Sequence, residues 1–374
     1  MSGLATILYR FPANQLIVVG VTGTKGKSTT SEILNHILEA NGKKVFLSST
    51  IHFKIAGAEK PNLLKMTMPG RFLLQKMLRE AVNKGCTHAV IEMSSEGAKL
   101  WRHVGIPLNG LVVTNFSPEH IESHGSFEKY RAAKLRLVAA LNKSDKPNKF
   151  LILNESDLAL KPFAIAANQS VTVKGLTKSY TTTLPGQFNL DNALAAASAA
   201  EILGISPDII QTALNTFTGA RGRLERVDVG QPFTVIVDYA HTADSMKKIY
   251  EVFAEQRKIC VFGATGGGRD KWKRPEMGKI ADTYCEEIIL TDDDSYDEDT
   301  QQICAEIATG ITNHEPKIIT DRQEAIKTAL ATARAGDVVL ITGKGTDPYL
   351  MGPNNKKIPW SDVEITKEEL KKLI

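Results

Sequence analysis

From Leu16 onward the chain alternates short apolar runs with amphipathic stretches, and no other feature limits its fold so tightly. Leu16–Gly20, Lys44–Ser49, His88–Glu92, Leu111–Thr114 and Phe150–Asn154 read as buried strands. Between them, Ser28–Asn41, Arg71–Lys84 and Phe127–Leu141 space their apolar residues as helices do. Two more helices, Asn192–Leu203 and Pro207–Thr216, lead into GARGR at Gly219–Arg223. A second series follows, with strands Phe233–Asp238, Lys258–Phe262, Glu287–Thr291 and Val338–Thr342. Helices near Ser245–Ala254, Pro275–Cys285 and Arg322–Ala333 alternate with these strands. Such alternation builds βαβ units and a mostly parallel sheet. The expectation is a lead-in over 1–15, an α/β domain over 16–219 and a second over 220–374, as suits 374 residues. Ligands of these sheets sit at the carboxyl ends of strands, so the loops there carry the interest.

Composition narrows the class further. The four cysteines, Cys86, Cys260, Cys285 and Cys304, are far apart and form no CxxC pair. That argues against a disulfide scaffold or zinc ribbon and suits a reducing compartment. The net charge of +4 is not clustered as in nucleic-acid proteins. No apolar run approaches the ~18 residues of a membrane span. The opening MSGLATILYRFPANQ has no basic n-region. A soluble, cytoplasmic protein with neither nucleic acid nor membrane as partner is expected.

The first strand runs into VTGTKGKSTT, Val21–Thr30, and straight on into a helix. Small residues let backbone N–H groups close round phosphate oxygens, and the helix N-terminus adds its positive dipole end. Lys27 can reach the outer phosphates, and the Ser28 hydroxyl can ligate Mg²⁺. Gly23, Thr24, Lys25, Gly26, Lys27, Ser28 and Thr29 are therefore the candidate ATP contacts. The strict phosphate-loop pattern fails at its first position, where Val21 stands for glycine. A glycine–threonine turn capping a helix is the plain alternative. A hydrolase switch or a kinase would carry the same loop, so it names the nucleotide and not the reaction.

Glu92 ends its strand in IEMSSEGAKLWR, where a carboxylate can hold Mg²⁺ across the loop. The next strand ends in TNFSPEHIESHGSFEKYRAAK, Thr114–Lys134. His120 and His124 are spaced HxExH and not HExxH, which disfavours a zinc hydrolase. His120 alone remains a candidate metal or phosphate ligand.

These strings stand in order with GQFNLDNALAA, GRLERV, VDYAHTADSM, VFGATGGGRDKWKRPEMG and ITGKGTDPY. Together they resemble the Mur ligases, closest to those adding the third residue to UDP-N-acetylmuramoyl-dipeptide, over nearly the whole chain. The resemblance implies a P-loop-type ATPase domain with a mostly parallel sheet, then a Rossmann-like α/β domain. It implies an ATP-dependent amide ligase of peptidoglycan precursor synthesis, which activates a muramoyl-peptide-like carboxylate as an acyl phosphate and adds an amino acid. Lys27, Glu92, His120, Lys134 and Arg223 would be catalytic, with Ser28, Glu92, His120 and a carbamylated Lys134 at the metal sites. Asn189 would meet adenine, Arg223 the phosphates, and Asp238 and His241 the ribose and nucleotide. Thr67, Ser94 and Arg102 match muramoyl-peptide positions, and Arg269, Gly343 and Asp347 match amino-acid positions.

Several positions depart from the family. Met68, Glu96 and Leu100 replace its threonine, histidine and glutamine. Diaminopimelate-adding members carry Asp-Asn-Pro-Arg where this chain has Asp293-Asp294-Ser295-Tyr296. Without that arginine a distal carboxylate lacks its bidentate partner. The acidic run TDDDSYDEDT would suit a distal ammonium, and a solvated acidic loop is the alternative. About fifteen residues precede the phosphate-loop strand, too few for the uridine-nucleotide domain of three-domain members. The expectation is a ligase without that grip, served by a partner or acting on a carboxylate with no UDP handle. Other readings are a folylpolyglutamate- or cyanophycin-like ligase and a non-catalytic nucleotide-binding interaction protein. A dinucleotide fold is the weakest, since GATGGG does not spell GxGxxG.

Overall fold

A computed structural model describes residues 2–119, 121–269 and 271–373. They form two compact units, one ending at Thr218 and the other beginning at Gly219. His120 lies outside the described residues.

The N-terminal unit contains β1 (Ile17–Thr22), β2 (Val45–Ser48), β3 (His52–Ile55), β4 (Ala58–Pro61), β5 (His88–Glu92), β6 (Gly110–Val113), β7 (Lys149–Leu153) and β8 (Val171–Lys174). They make one eight-stranded sheet in the order β4-β3-β2-β5-β1-β6-β7-β8. All neighbours run parallel except at the β2–β3 and β3–β4 edge, which is antiparallel. The central strands are buried from end to end, as a sheet covered on both faces requires. Helices Arg71–Asn83 and Phe127–Asn142 bury Leu74, Leu78, Leu137 and Leu141 with Val18, Phe46, Ile91, Leu111 and Leu151. Helices Lys27–Ala40 and Gln187–Ile202 pack on each other. The second begins five residues before the expected Asn192, because its polar first turn shows no apolar period. Its buried face is a run of alanines, Ala195–Ala197 with Ala199 and Ala200, which permits close approach.

The C-terminal unit holds β9 (Glu225–Arg226), β10 (Thr234–Asp238), β11 (Lys258–Phe262), β12 (Glu287–Leu290), β13 (Lys317–Ile318) and β14 (Val338–Thr342). Their order is β13-β12-β11-β14-β10-β9, parallel except for β9. A separate hairpin joins β15 (Tyr349–Gly352) and β16 (Lys356–Pro359).

The cysteine reading needs one correction. Cys260 and Cys285 form a disulfide, both buried, while Cys86 and Cys304 are free. Twenty-five positions separate the pair, but Cys260 lies in β11 and Cys285 caps the end of the helix Lys273–Tyr284, and the fold brings the two together. Spacing along the chain does not register that approach.

Candidate active site

The carboxyl end of β1 feeds Gly23–Gly26 into the helix Lys27–Ala40. Gly26 caps that helix at φ 79°, and a Cβ there would lie 2.2 Å from the Asn192 side-chain oxygen. Gly23, at φ 146°, would clash likewise with the Thr114 hydroxyl at 1.9 Å. Both glycines let the loop turn tightly against its neighbours. Thr114 Oγ1 donates to the Lys25 carbonyl at 2.6 Å, and Lys25 N–H donates to Asn115 Oδ1 at 2.9 Å. Thr24 Oγ1 meets Tyr130 OH at 3.0 Å, and Lys25 Nζ pairs with Glu119 at 2.6 Å. The loop is thus held by Thr114 and Asn115 just after β6, by Glu119 and by Tyr130. Lys27 Nζ folds back on the Thr24 carbonyl at 2.9 Å, and Thr29 is buried in the first turn.

Ser28 Oγ lies 3.2 Å from each Glu92 oxygen, joining helix start to the end of β5. Thr50 donates to the same carboxylate through its N–H at 2.7 Å and its hydroxyl at 3.0 Å, and its hydroxyl also meets Thr67 at 3.0 Å. The expected Ser28, Glu92 and Thr67 are therefore one hydrogen-bonded run, with Thr50 as its unexpected link. The β2–β3 connection supplies Thr50, and nothing in STIHF marks it as a site residue in the sequence.

Lys134 donates to the Gly23 carbonyl at 2.6 Å and is buried. Burial, reinforced by repulsion from Lys27, pushes its amine well below the ordinary lysine value. Tyr130, one helical turn earlier, has its phenol pushed up by burial.

The remaining expected residues of this unit have local partners. Ser94 caps the short helix Ser95–Lys99 by accepting from Gly97 N–H at 3.1 Å. Arg102 donates to the Met68 carbonyl and ties its own loop to the one that carries Thr67. Asn189 donates to the Pro185 carbonyl at 2.8 Å, while Asn192, one turn later, is the residue against Gly26. His124 meets Ser95 Oγ at 3.1 Å and Glu96 at 3.1 Å.

In the C-terminal unit, Asp238 accepts from Leu224 N–H at 2.7 Å and Ala240 N–H at 2.6 Å, fixing the turn after β10. The Arg223 guanidinium sits 4.3 Å over the Tyr239 ring, and His241 packs edge-on against that ring at 5.0 Å. Arg223, Asp238 and His241 thus gather round Tyr239, which the sequence did not single out. Arg269 is exposed on the turn after β11. Gly343 N–H donates to the Asp238 carbonyl at 3.1 Å.

The acidic run turns inward in its first half, while Asp297 and Asp299 stay exposed. Asp293 and Asp294 are buried. Lys344, fully buried, pairs with Asp294 at 2.6 Å, Asp347 at 3.3 Å and Asp293 at 3.8 Å. Asp297 accepts from Asn354 N–H, and Glu298 binds Gly268 N–H, Lys271 and Arg274. These bonds clasp the glycine turn after β11 and the turn after β14. Burial raises the Asp293 carboxyl to about 6, against the pull of Lys344. Burial works against the Lys344 charge, but Asp293, Asp347 and Asp294 outweigh it and push its value up. Lys344 was legible in GKGTD only as the residue between two assigned ones.

Two family models match in tandem, the Mur ligase middle domain over residues 21–178 and the Mur ligase glutamate ligase domain over 222–345. A UDP-N-acetylmuramyl-tripeptide synthetase of a Roseiflexus species is 35% identical across 100% of this chain and 82% of its own length. The chain belongs to the Mur ligase family. A UDP-N-acetylmuramoyl-L-alanyl-D-glutamate–2,6-diaminopimelate ligase of Caldanaerobacter subterraneus is 36% identical over 99% of the chain and 81% of its own. A solved diaminopimelate ligase of this type is 28% identical, with a TM-score of 0.63 over 96% of the chain. Mycobacterium tuberculosis folylpolyglutamate synthase shares the fold at 14% identity, with a TM-score of 0.75 over 92% of both chains. Mur ligases are ATP-dependent, ADP-forming amide ligases, and this chain is an enzyme of that kind. No helix among the described residues is long and apolar enough to cross a membrane.

Proposed function

We propose that the chain joins an amino acid to a UDP-N-acetylmuramoyl-peptide-like carboxylate in peptidoglycan precursor synthesis. The run Ser28–Glu92–Thr50–Thr67, set beside the phosphate loop, carries this reading, because it links the nucleotide end to the acceptor end. The acceptor carboxylate attacks the terminal phosphorus of ATP, ADP departs, and the amino acid's amine displaces phosphate from the acyl phosphate. Lys27 offsets negative charge on the phosphoryl group in flight. Thr67, Ser94 and Arg102 hold the acceptor. In the C-terminal unit, Arg223, Asp238 and His241 face the nucleotide, and Arg269, Gly343 and Asp347 face the amino acid. Asn189 serves the adenine from the helix that backs the phosphate loop.

The Ser28 hydroxyl and the Glu92 carboxylate are hard oxygen donors on one side of the loop, and they suit Mg²⁺. Bound there, the ion would neutralise phosphate charge. His120 belongs to the same proposed set. A lysine whose amine is held below its ordinary value gives up its proton more readily, and the neutral Lys134 amine can add carbon dioxide, losing a proton to become a carbamate anion. The low value forced by burial supports that chemistry.

Incubation with ATP, candidate UDP-muramoyl peptides and an amino-acid panel, read by mass spectrometry, tests the assignment. An acceptor gaining one amino acid with matching ADP supports it. ATP turnover only with a pteroyl-glutamate or other non-muramoyl carboxylate overturns it.

A further inference from the structure

The hairpin of β3 and β4 sets His52 opposite Pro61, so the two turns leaving its open end lie side by side. The turn at 49–51 carries Thr50, and the segment 62–67 carries Thr67. One buried side chain clamps them together. The Asn62 amide donates to the Ser49 carbonyl and to the Met66 carbonyl, both at 2.9 Å. Those carbonyls belong to the residues immediately before Thr50 and Thr67. Ser49 Oγ fixes the first turn further by accepting from the Ile51 and His52 N–H groups, each at 3.2 Å. The meeting of the Thr50 and Thr67 hydroxyls at 3.0 Å is therefore built by the backbone, not by two surface rotamers.

Counting protons gives that contact a direction. An ionised carboxylate only accepts, and it offers about four lone-pair sites. Thr50 has a single hydroxyl proton, and Glu92 Oε1 takes it at 3.0 Å. The Thr50 oxygen must then accept from Thr67, so the bonds run one way, from Thr67 through Thr50 to Glu92. Thr50 also gives its N–H to Glu92 Oε2 at 2.7 Å. One residue thus grips both carboxylate oxygens, and Ser28 Oγ stands 3.2 Å from each of them. Glu92 is 1% exposed, so protein groups rather than bulk solvent set its plane. Groups that orient a metal ligand in this way are worth about 10–100-fold in metal affinity. Hydrogen bonds in a chain polarise one another, so the bond from Thr67 strengthens the bond Thr50 makes to Glu92.

We propose that Thr50 is a positioning residue, which holds the Glu92 carboxylate in the plane that receives Mg²⁺ and couples that carboxylate to Thr67 on the acceptor loop. The proposal rests on the assignment of Glu92 to the metal. Through Thr50, a change at the Thr67 hydroxyl is felt at the ion without either residue touching it.

Calorimetric titration of the full chain with adenylyl imidodiphosphate, in EDTA and in Mg²⁺, tests this with neither acceptor nor amino acid present. The measure is the factor by which Mg²⁺ tightens nucleotide binding. Thr50→Val keeps the N–H and loses the hydroxyl; it should cut that factor about tenfold and leave binding in EDTA unchanged. Thr50→Ser should restore the factor. Thr67→Val should cut it about threefold, and the double variant should be no worse than Thr50→Val alone. An undiminished factor in either single valine variant overturns the proposal, as does failure of serine to restore it. A loss that appears equally in EDTA overturns it too, since damage to the turn would act there as well. Losses that multiply in the double variant would make the two threonines independent and remove the coupling. A wild-type chain whose nucleotide binding ignores Mg²⁺ overturns the metal assignment beneath it. Failure of the muramoyl acceptor reading would show in the mass-spectrometric assay alone and leave these titrations as they are.

Discussion

Two lysines are buried to nearly the same degree, and their surroundings drive them in opposite directions. In the N-terminal unit Lys134 meets a carbonyl oxygen, with Lys27 as repelling neighbour, and its amine loses its proton easily. In the C-terminal unit Lys344 meets three carboxylates and keeps its charge firmly. Burial penalises charge at both sites, and the sign of the nearest partners decides the outcome. The first lysine is left with a depressed amine against the Gly23 carbonyl. The second is a fixed cation that ties the turns after β12 and β14.

The comparison can be broken at its active end first. Lys27→Ala should cut acceptor-dependent ADP release by about 10²–10³-fold, as loss of a transition-state charge partner does. Near-normal turnover in a coupled assay would remove the phosphate-loop assignment. Lys134→Ala should also lose activity, and short carboxylic acids should restore part of it by filling the carbamate position. The same acids should do nothing for Lys344→Ala. Recovery in both variants, or in neither, would erase the distinction between the two lysines.

Stability sharpens the contrast from the other side. Lys344→Met leaves buried carboxylates uncompensated and should cost about 3–5 kcal/mol in denaturant unfolding. Lys134→Met should cost less, since it removes a bond to the Gly23 carbonyl and strips no buried carboxylate of an ion-pair partner. Equal losses would show that burial alone governs both. A smaller effect lies with Asp293, whose folded value of about 6 exceeds the ordinary 3.8. The folded state then binds the extra proton, so stability is fullest below the ordinary value and falls as pH rises towards 6. That fall amounts to about 3 kcal/mol at most, and Asp293→Asn should flatten it in pH-dependent urea melts. The smallest expected effect is at Ser94, where loss of the cap in Ser94→Ala should cost about 1 kcal/mol.

Much of the scaffold was legible because buried parallel strands and amphipathic helices write their periods into sequence. Pro207–Thr216 was read with both ends correct, and most other elements to within two residues. The hairpin of β3 and β4 was not, since Ala58–Pro61 is exposed throughout and shows no alternation. Its turn at Ala56 and Gly57, with φ of 49° and 89°, was the available signal. In the candidate site, Gly23, Gly26 and Ser28 were visible because a tight strand-to-helix turn constrains consecutive residues. Thr50, Asn192 and Tyr130 were not, because each reaches the loop from a separate element.

The sequence alone determined the tandem α/β architecture, the glycine turn that joins β1 to its helix, and the family, all of which depend on local order. Tertiary structure decided which charges are spent and which remain available. The same acidic letters that suggested a cation subsite turn inward on Lys344, and two cysteines twenty-five positions apart meet across a strand and a helix. Ionisation and bonding depend on neighbours in space, and a linear chain does not list them.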